Sequence, residues 1–149
     1  MKTQWIVVAN AASARIFRRE SANAHLVPVA ALAHEESRMH ASALTSDRPG
    51  SQAADNGSGL NHFEPRSDAR RKEHQRFAEE IARRLDEGLK AGAFGSLTLF
   101  ASSPFLGELK AALSEAVGLH LKATLNHDLS HVGIAELERR ISGEWSAAF

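Results

Sequence analysis

Short apolar runs dominate the first 34 residues of the chain. The run WIVVA at 5–9 is continuous and rich in β-branched residues, which is typical of a strand buried on both faces. Residues 14–20 alternate between apolar and basic positions, and residues 25–34 form a third apolar run that contains Pro28. Proline has no backbone N–H, so this third strand is expected at a sheet edge or a bulge. With Asn10 in a short turn, the pattern predicts an antiparallel meander of three neighbouring strands.

The next segment, residues 35–67, follows neither a period of 2 nor a period of 3.6. It is rich in Ser, Ala, Gly and Asp. A structureless stretch longer than about 15 residues in a compact domain is usually functional or disordered. We therefore expect a long flexible loop at about 35–67, with a mobile, protease-sensitive tip at 45–60 that orders on a partner.

The second half of the chain alternates helical and strand patterns. With Ser67 or Asp68 as the N-cap and Gly92 as the stop, a four-residue apolar period predicts the longest helix at 71–91. The remaining predicted elements are a strand at 96–102, a helix at 103–118, a strand at 119–126 and a helix at 133–145. Strand–helix alternation implies parallel crossover connections, so residues 1–149 should form one α/β domain. Its mixed sheet should have about five strands flanked by three helices.

Composition excludes several classes of protein. Hydrophobic residues make up 43% and charged residues 24%, as in ordinary globular proteins. Lys+Arg and Asp+Glu both total 18, so any attraction to nucleic acid must come from a local patch. The lack of cysteine excludes disulfides, thiolate zinc sites and cysteine nucleophiles. Polar residues early in the chain do not fit a signal peptide, and the apolar runs are shorter than the roughly 20 residues of a membrane span. We expect a cytoplasmic protein.

The densest local charge lies between residues 66 and 76. Five basic residues stand there against Asp68 and Glu73, for a net charge of five minus two, or +3: Arg66, Arg70, Arg71, Lys72 and Arg76. Such a patch could neutralise two or three phosphates, which suffices for docking on RNA but not for reading its sequence. Basic residues at a helix start oppose the helix dipole, and this unfavourable placement supports a functional patch beside Gly57 and Gly59.

The alternative interpretation of the same residues is a solvated helix face. In that case, pairs three or four residues apart would neutralise the charges: Glu73–Arg76, Glu79–Arg83 and Glu80–Arg84. The sequence leaves both interpretations open.

A metal site is a further hypothesis. His127, Asp128 and His131 carry ligand types suited to zinc or iron, and His62 and His74 could complete such a site. Asp128 and Ser130 are explained equally well as turn and cap residues before the last helix. We therefore expect no metal and no cofactor.

An anion site is predicted at the turn 101–104. This turn follows a parallel strand and opens a helix, so free backbone N–H groups at Ser102 and Ser103 could bind an anion. The alternative is that Ser103 is simply an N-cap followed by Pro104 at the first helical position. A serine nucleophile would need a G-x-S-x-G turn and an assignable base, and the sequence offers neither.

Three segments resemble the bacterial host-attachment protein family, which is named for a requirement in attachment to host cells. They are WIVVANAASARIF, the stretch from DARRKEHQRF to GELKAALS, and LKATLNHDLSHVGIAELERRI, which together span nearly the whole chain. The most specific piece is LTLFASSPFLGELKAAL followed by NHDLSH. The family usually carries a lysine where His127 stands, which argues against a special role for His127.

That family is in turn similar to the middle domain of archaeal and eukaryotic class 1 release factors and of Pelota. The likeness implies a mixed sheet flanked by helices, with a long loop before a long helix. In release factors this loop carries Gly-Gly-Gln, which helps water attack the peptidyl-tRNA ester. The present chain has Gly57, Ser58 and Gly59 but no Gly-Gly-Gln, so peptidyl-tRNA hydrolysis is not expected.

The resemblance implies a non-catalytic protein that docks on the ribosome or another RNA-rich partner through residues 57–76. Host attachment would then be an indirect phenotype. Two alternatives remain: a module that acts through protein partners in attachment at the envelope, and a hydrolase.

Overall fold

The computed structural model describes residues 3–21, 24–34 and 59–143, with the side chains of the last range given from residue 68 onward. The strands are β1 (Gln4–Ala9), β2 (Ser13–Arg19), β3 (Val27–Ala33), β4 (Ser96–Phe100) and β5 (Leu121–Leu125). The helices are α1 (Gly59–Lys90), α2 (Phe105–Ala112), α3 (Glu115–Leu119) and α4 (Ile134–Ser142). The predicted α/β class with a mixed sheet is confirmed.

One five-stranded sheet, in the order β3-β2-β1-β4-β5, forms the centre of the described structure. β1 pairs antiparallel with β2, and β2 pairs antiparallel with β3, which confirms the predicted meander. β1 and β4 pair in parallel, as do β4 and β5, which confirms the crossover connections. Every residue of β1 is buried, as its unbroken apolar run predicts.

The third strand lies at one edge of the sheet, where the proline in its sequence placed it. Pro28 pairs with Phe17, and the register between β2 and β3 shifts between Ile16 and Phe17. A strand that lacks one backbone donor is tolerated at an edge or beside a bulge, and β3 combines the two.

The two faces of the sheet carry separate apolar clusters because side chains alternate along each strand. Helices α1, α2 and α3 cover the larger cluster, which includes Trp5, Val7, Ile16, Phe77, Ile81, Leu85, Leu99, Phe105, Leu109 and Val117. Helix α4 covers the smaller one, which includes Ile6, Val8, Phe17, Phe100, Leu137 and Ile141.

Helix α1 begins much earlier than the sequence predicts. The predicted N-cap at Ser67 or Asp68 is wrong, because the helix runs from Gly59. The end is as predicted: Gly92 has a φ of +74°, and the N–H of Ala93 donates to the carbonyl of Gly88 at 2.9 Å. Glycine adopts this left-handed conformation without a steric penalty and so closes the helix.

The helix predicted at 103–118 is instead two helices. Leu113 adopts extended backbone angles (φ −66°, ψ 142°) that end α2. Ser114 then caps α3, since its side-chain oxygen accepts from the N–H of Val117 at 3.1 Å. The hydroxyl of Ser114 also donates to Asp86 of α1 at 2.9 Å, and this bond lowers the pKa of Asp86. Ser114, which stands at the break between α2 and α3, therefore also fixes the start of α3 to α1.

The last two elements are shorter than predicted. The strand predicted at 119–126 runs from Leu121 to Leu125, and the helix predicted at 133–145 runs from Ile134 to Ser142. Residues 144 and 145 of that prediction lie outside the described residues.

Candidate functional site

Helix α1 is much longer than the sheet on which it packs. Its 32 residues span about 48 Å, whereas strands of five to seven residues span about 17–23 Å. Because its C-terminus leads into β4, its N-terminal half lies towards the carboxyl ends of β1 and β4. The buried side chains described in this helix begin at Phe77, and those of residues 68–72 are all exposed. We call residues 59–72 the arm.

Three of the predicted basic residues are exposed on the arm. With Asp68 also exposed, Arg70, Arg71 and Lys72 give residues 68–72 a net charge of three minus one, or +2. They are the twelfth to fourteenth residues of α1, so the expectation that they oppose the dipole in the first turn is wrong.

Arg76 is neutralised locally by Glu73. Its Nη1 atom lies 2.8 Å from Glu73 Oε2, which confirms one of the three predicted pairs along the helix. In the part of α1 whose side chains are described, the other two predicted pairs, Glu79–Arg83 and Glu80–Arg84, do not form ion pairs. The solvated-face interpretation therefore explains Arg76, whereas Arg70, Arg71 and Lys72 have no ion pair with the described side chains of α1.

The residue that neutralises Arg76 also joins α1 to the end of the meander. His34, which follows β3, places Nε2 at 2.7 Å from Glu73 Oε1, and its ring stacks on Phe77 with centroids 5.3 Å apart. The side chains of His34 and Glu73 are 11% and 13% exposed, so this is a largely buried contact. It fixes the end of β3 to the base of the arm. The two residues lie 39 positions apart, and sequence reasoning did not pair them.

His74 lies where α1 meets the start of α2. Its ring stands edge-on to the ring of Phe105, with centroids 6.3 Å apart and an interplanar angle of 89°. Burial lowers the pKa of His74, and the positive charge of Arg70 lowers it further, against opposing effects of Glu108 and Glu73. Sequence reasoning considered His74 as a metal ligand; the structure places it instead in a cluster of charged groups beside the arm.

The turn predicted as an anion site connects two strand ends. The Ser103–Pro104 peptide is cis, and Pro104, not Ser103, is the N-cap of α2, without a side-chain hydrogen bond. The predicted cap is therefore wrong. The backbone N–H of Ser103 donates to Asn126 Oδ1 at 3.3 Å, and Asn126 Nδ2 donates to Ser103 Oγ at 3.3 Å. These bonds tie the end of β4 to the end of β5, and anion binding at Ser102 and Ser103 stays a prediction.

The segment after β5 is held by a network of short side chains. Asp128 accepts from both the N–H and the hydroxyl of Ser130, at 3.0 and 2.6 Å, and the hydroxyl bond is the main cause of a lowered Asp128 pKa. Asn10 donates to Ser130 Oγ at 2.9 Å across the sheet. The turn interpretation of Asp128 is confirmed, but Ser130 is not the cap of α4, which begins after Gly133. Among the described residues, no group of three or more candidate ligands could hold a metal ion.

A buried polar row crosses the sheet on the α4 face, and no sequence pattern predicts it. Arg19 Nη2 donates to Gln4 Oε1 at 3.1 Å, and Gln4 Nε2 donates to Thr98 Oγ1 at 3.1 Å. Burial lowers the pKa of Arg19. Its guanidinium lines a cavity of about 140 Å³ together with His25, Leu26, Glu138 and Ile141. The row gives each of these three buried side chains a hydrogen bond to a neighbouring strand.

Three predicted binding residues fall outside the described side chains. Gly57 lies outside the described residues. Gly59 and Arg66 are part of helix α1, but only their backbone is described. The tip predicted at 45–60 also lies outside the described residues, apart from the helical backbone at 59 and 60.

A family model matches residues 5–141, with the description "Protein required for attachment to host cells". The chain belongs to this family. The match begins inside β1 and ends inside α4, so it includes the arm, His74 and the turn at Ser103 in one unit. A search of curated proteins gives no significant match.

In this host-attachment family member, the described part of the chain has no helix that is long and apolar enough to cross a membrane. The longest helix, α1, is strongly polar along the arm. In the described side chains, the exposed basic residues at 70–72 lie next to a cluster of His34, Glu73, His74 and Glu108.

Proposed function

We propose that this host-attachment family protein is a non-catalytic binding module. It docks on the ribosome or another RNA-rich partner through the basic arm of α1, and host attachment is an indirect consequence of that docking. The observation that carries the proposal is the exposed set Arg70, Arg71 and Lys72, in a stretch of α1 (residues 68–72) where every side chain is exposed. Lysine and arginine on an exposed helix can neutralise phosphates without reading bases.

The fold supports a rigid presentation of this surface. The lower part of α1 is anchored in the larger apolar cluster by Phe77, Ile81 and Leu85, all of them fully buried. The His34–Glu73 contact fixes the base of the arm to the end of β3. A charged segment held in this way binds with less loss of conformational entropy than a free tail.

The resemblance to the middle domain of release factors adds a geometric reason. In that domain, a long helix follows a loop that reaches into the ribosome, and in this chain the long helix α1 follows a stretch of sequence without periodic pattern. The chain lacks Gly-Gly-Gln, so the proposal includes docking but no peptide release.

The test is co-sedimentation of the full chain with ribosomes over a series of salt concentrations. A triple variant with Arg70→Gln, Arg71→Gln and Lys72→Gln should bind more weakly. Its dependence on salt should also be shallower, by about 0.7 to 0.9 units of logarithmic slope for each lost phosphate contact. The matched control removes three charges from the anchored half of the same helix, with Arg83→Gln, Arg84→Gln and Lys90→Gln, and should bind as the unmodified protein does.

The competing function is attachment through protein partners, which the family description favours. It predicts that the unmodified protein does not sediment with ribosomes even at low salt. That result would rule out docking on the ribosome. Equal losses in the arm variant and the control variant would also contradict the proposal, because they would indicate a nonspecific effect of net charge.

A further inference from the structure

Arg70 and His74 stand on the same stripe of α1 as its buried apolar residues. Residues three or four apart on a helix share one face. His74 is four residues from Arg70 and three and four residues from Phe77 and Ala78, both of which are fully buried. Along this face, side-chain exposure increases from the buried Phe77 through the partly buried His74 to the exposed Arg70. Arg70 and His74 therefore lie on the same face of α1 as the buried Phe77.

The surroundings of His74 come from three elements. Its partly buried ring makes an edge-to-face contact with the ring of Phe105, the first residue of α2. Four charged or titratable groups face it: Arg70 and Glu73 from α1, Glu108 from α2 and His34 from the end of β3. Burial and Arg70 outweigh the two glutamates and lower the pKa of His74 below its usual 6.5. In the free protein, burial and Arg70 therefore favour the neutral imidazole over the imidazolium.

We propose that His74 belongs to the docking surface and takes up a proton from solvent when a phosphate group binds beside Arg70. The inference rests on the proposed function. A phosphate at Arg70 would neutralise the charge that repels a protonated His74 and would place a negative charge one helical turn away. Both changes favour the imidazolium, which can then donate a second, charge-assisted hydrogen bond to the same phosphate group. No covalent bond is made or broken.

The direction of the pH effect follows from linkage. If binding raises the pKa of His74, the complex holds more protons than the separate partners, and association strengthens as the pH falls. The gain starts as the pH drops through the pKa of His74 in the complex and is complete below its pKa in the free protein. One proton allows at most about a tenfold gain per pH unit.

The test uses the full chain and a fluorescein-labelled single-stranded RNA, titrated by fluorescence anisotropy at constant low ionic strength. Binding should be several-fold tighter at about pH 5.5 than at about pH 7.5, the range in which histidine titrates. In His74→Gln, the ratio of the affinities at the two pH values should fall towards one, because the residue that takes up the proton is gone. The control, His120→Gln, changes a partly buried histidine at the C-cap of α3 and should keep the whole gain.

A second measurement addresses His74 directly. The pKa of its ring, followed by NMR on the full chain, should be higher with the RNA bound than without it. Equal values, or the same pH dependence in His74→Gln and the unmodified protein, would overturn the inference and leave the docking function intact. Failure of the unmodified protein to bind RNA at either pH would overturn both.

Discussion

The two halves of α1 illustrate opposite uses of one helix. From Phe77 to Leu89 the helix buries a stripe of large apolar side chains against the sheet. From residue 68 to residue 72 every side chain is exposed and the segment is basic. The anchored half contributes to stability by removing apolar area from water, whereas the arm has no described packing to lose. The difference indicates that substitutions in the anchored half lower the free energy of unfolding, whereas substitutions at residues 68–72 change it little.

The largest expected effect is the loss of a ring from the anchored half. Phe77 is fully buried and contacts both His34 and Phe105. Phe77→Ala should lower the free energy of unfolding by about 3–5 kcal/mol, because it removes apolar contacts and leaves a cavity. Urea unfolding followed by far-UV circular dichroism measures the change. A loss below about 1 kcal/mol would contradict the assigned packing.

An intermediate loss of stability is expected at Gly88, where α1 packs against Trp5 of β1. A Cβ atom on Gly88 would lie 2.5 Å from Cη2 of Trp5, a ring that is itself packed against Phe94. Gly88→Ala should therefore destabilise the fold by about 1–2 kcal/mol, since overpacking outweighs the higher helix propensity of alanine.

The control for this change is Gly107→Ala in α2, where nothing lies within 4 Å of an added Cβ. This substitution should leave stability unchanged or raise it by up to about 1 kcal/mol. Thermal unfolding of both variants distinguishes crowding from propensity. Equal shifts in the melting temperature of the two variants would show that crowding against Trp5 does not destabilise Gly88→Ala.

The smallest effect on stability is expected in the arm. Arg70, Arg71 and Lys72 form no ion pair in the described structure, so the triple glutamine variant should change the free energy of unfolding by at most about 0.5 kcal/mol per residue. Urea unfolding under the conditions used for Phe77→Ala provides the comparison. A loss comparable with that of Phe77→Ala would show that the arm is part of the folded core and would remove the contrast between the halves.

Much of the fold could be predicted from the sequence because its signals are local and strong. The unbroken run at 5–9 indicated a doubly buried strand, Pro28 indicated an edge, and Gly92 indicated the end of the long helix. Each of these signals is a backbone or burial requirement that few residue types satisfy. The structure confirms all three.

The errors arose where local signals conflicted. Continuous spacing of Leu109, Leu113 and Val117 suggested one helix and hid the capping signal of Ser114. The early start of α1 was missed because residues 59–67 show no apolar period, and the polar Ser67 and Asp68 resemble a cap.

The candidate site was only partly predictable. The basic residues of the arm could be found because they are close together in the chain. The cluster at its base could not, since His34 and Glu73 are separated by 39 positions and meet only through the packing of β3 and α1. The row formed by Arg19, Gln4 and Thr98 is hidden in the same way, with 94 positions between two of its members. Contacts of this kind depend on tertiary structure and have no sequence pattern.

The position of β1 in the sheet has a consequence for synthesis of the chain. Of the five described strands, β1 is the one in which every residue is buried, yet one of its two neighbours, β4, pairs with it in the register Gln4↔Ser96. As the chain leaves the ribosome, β1 can pair with β2 almost at once, whereas its other edge waits until residue 100 has emerged. Non-local parallel pairing is slow to form, and an unpaired apolar strand edge favours aggregation. The nascent chain is therefore most vulnerable between the completion of the meander and the arrival of β4.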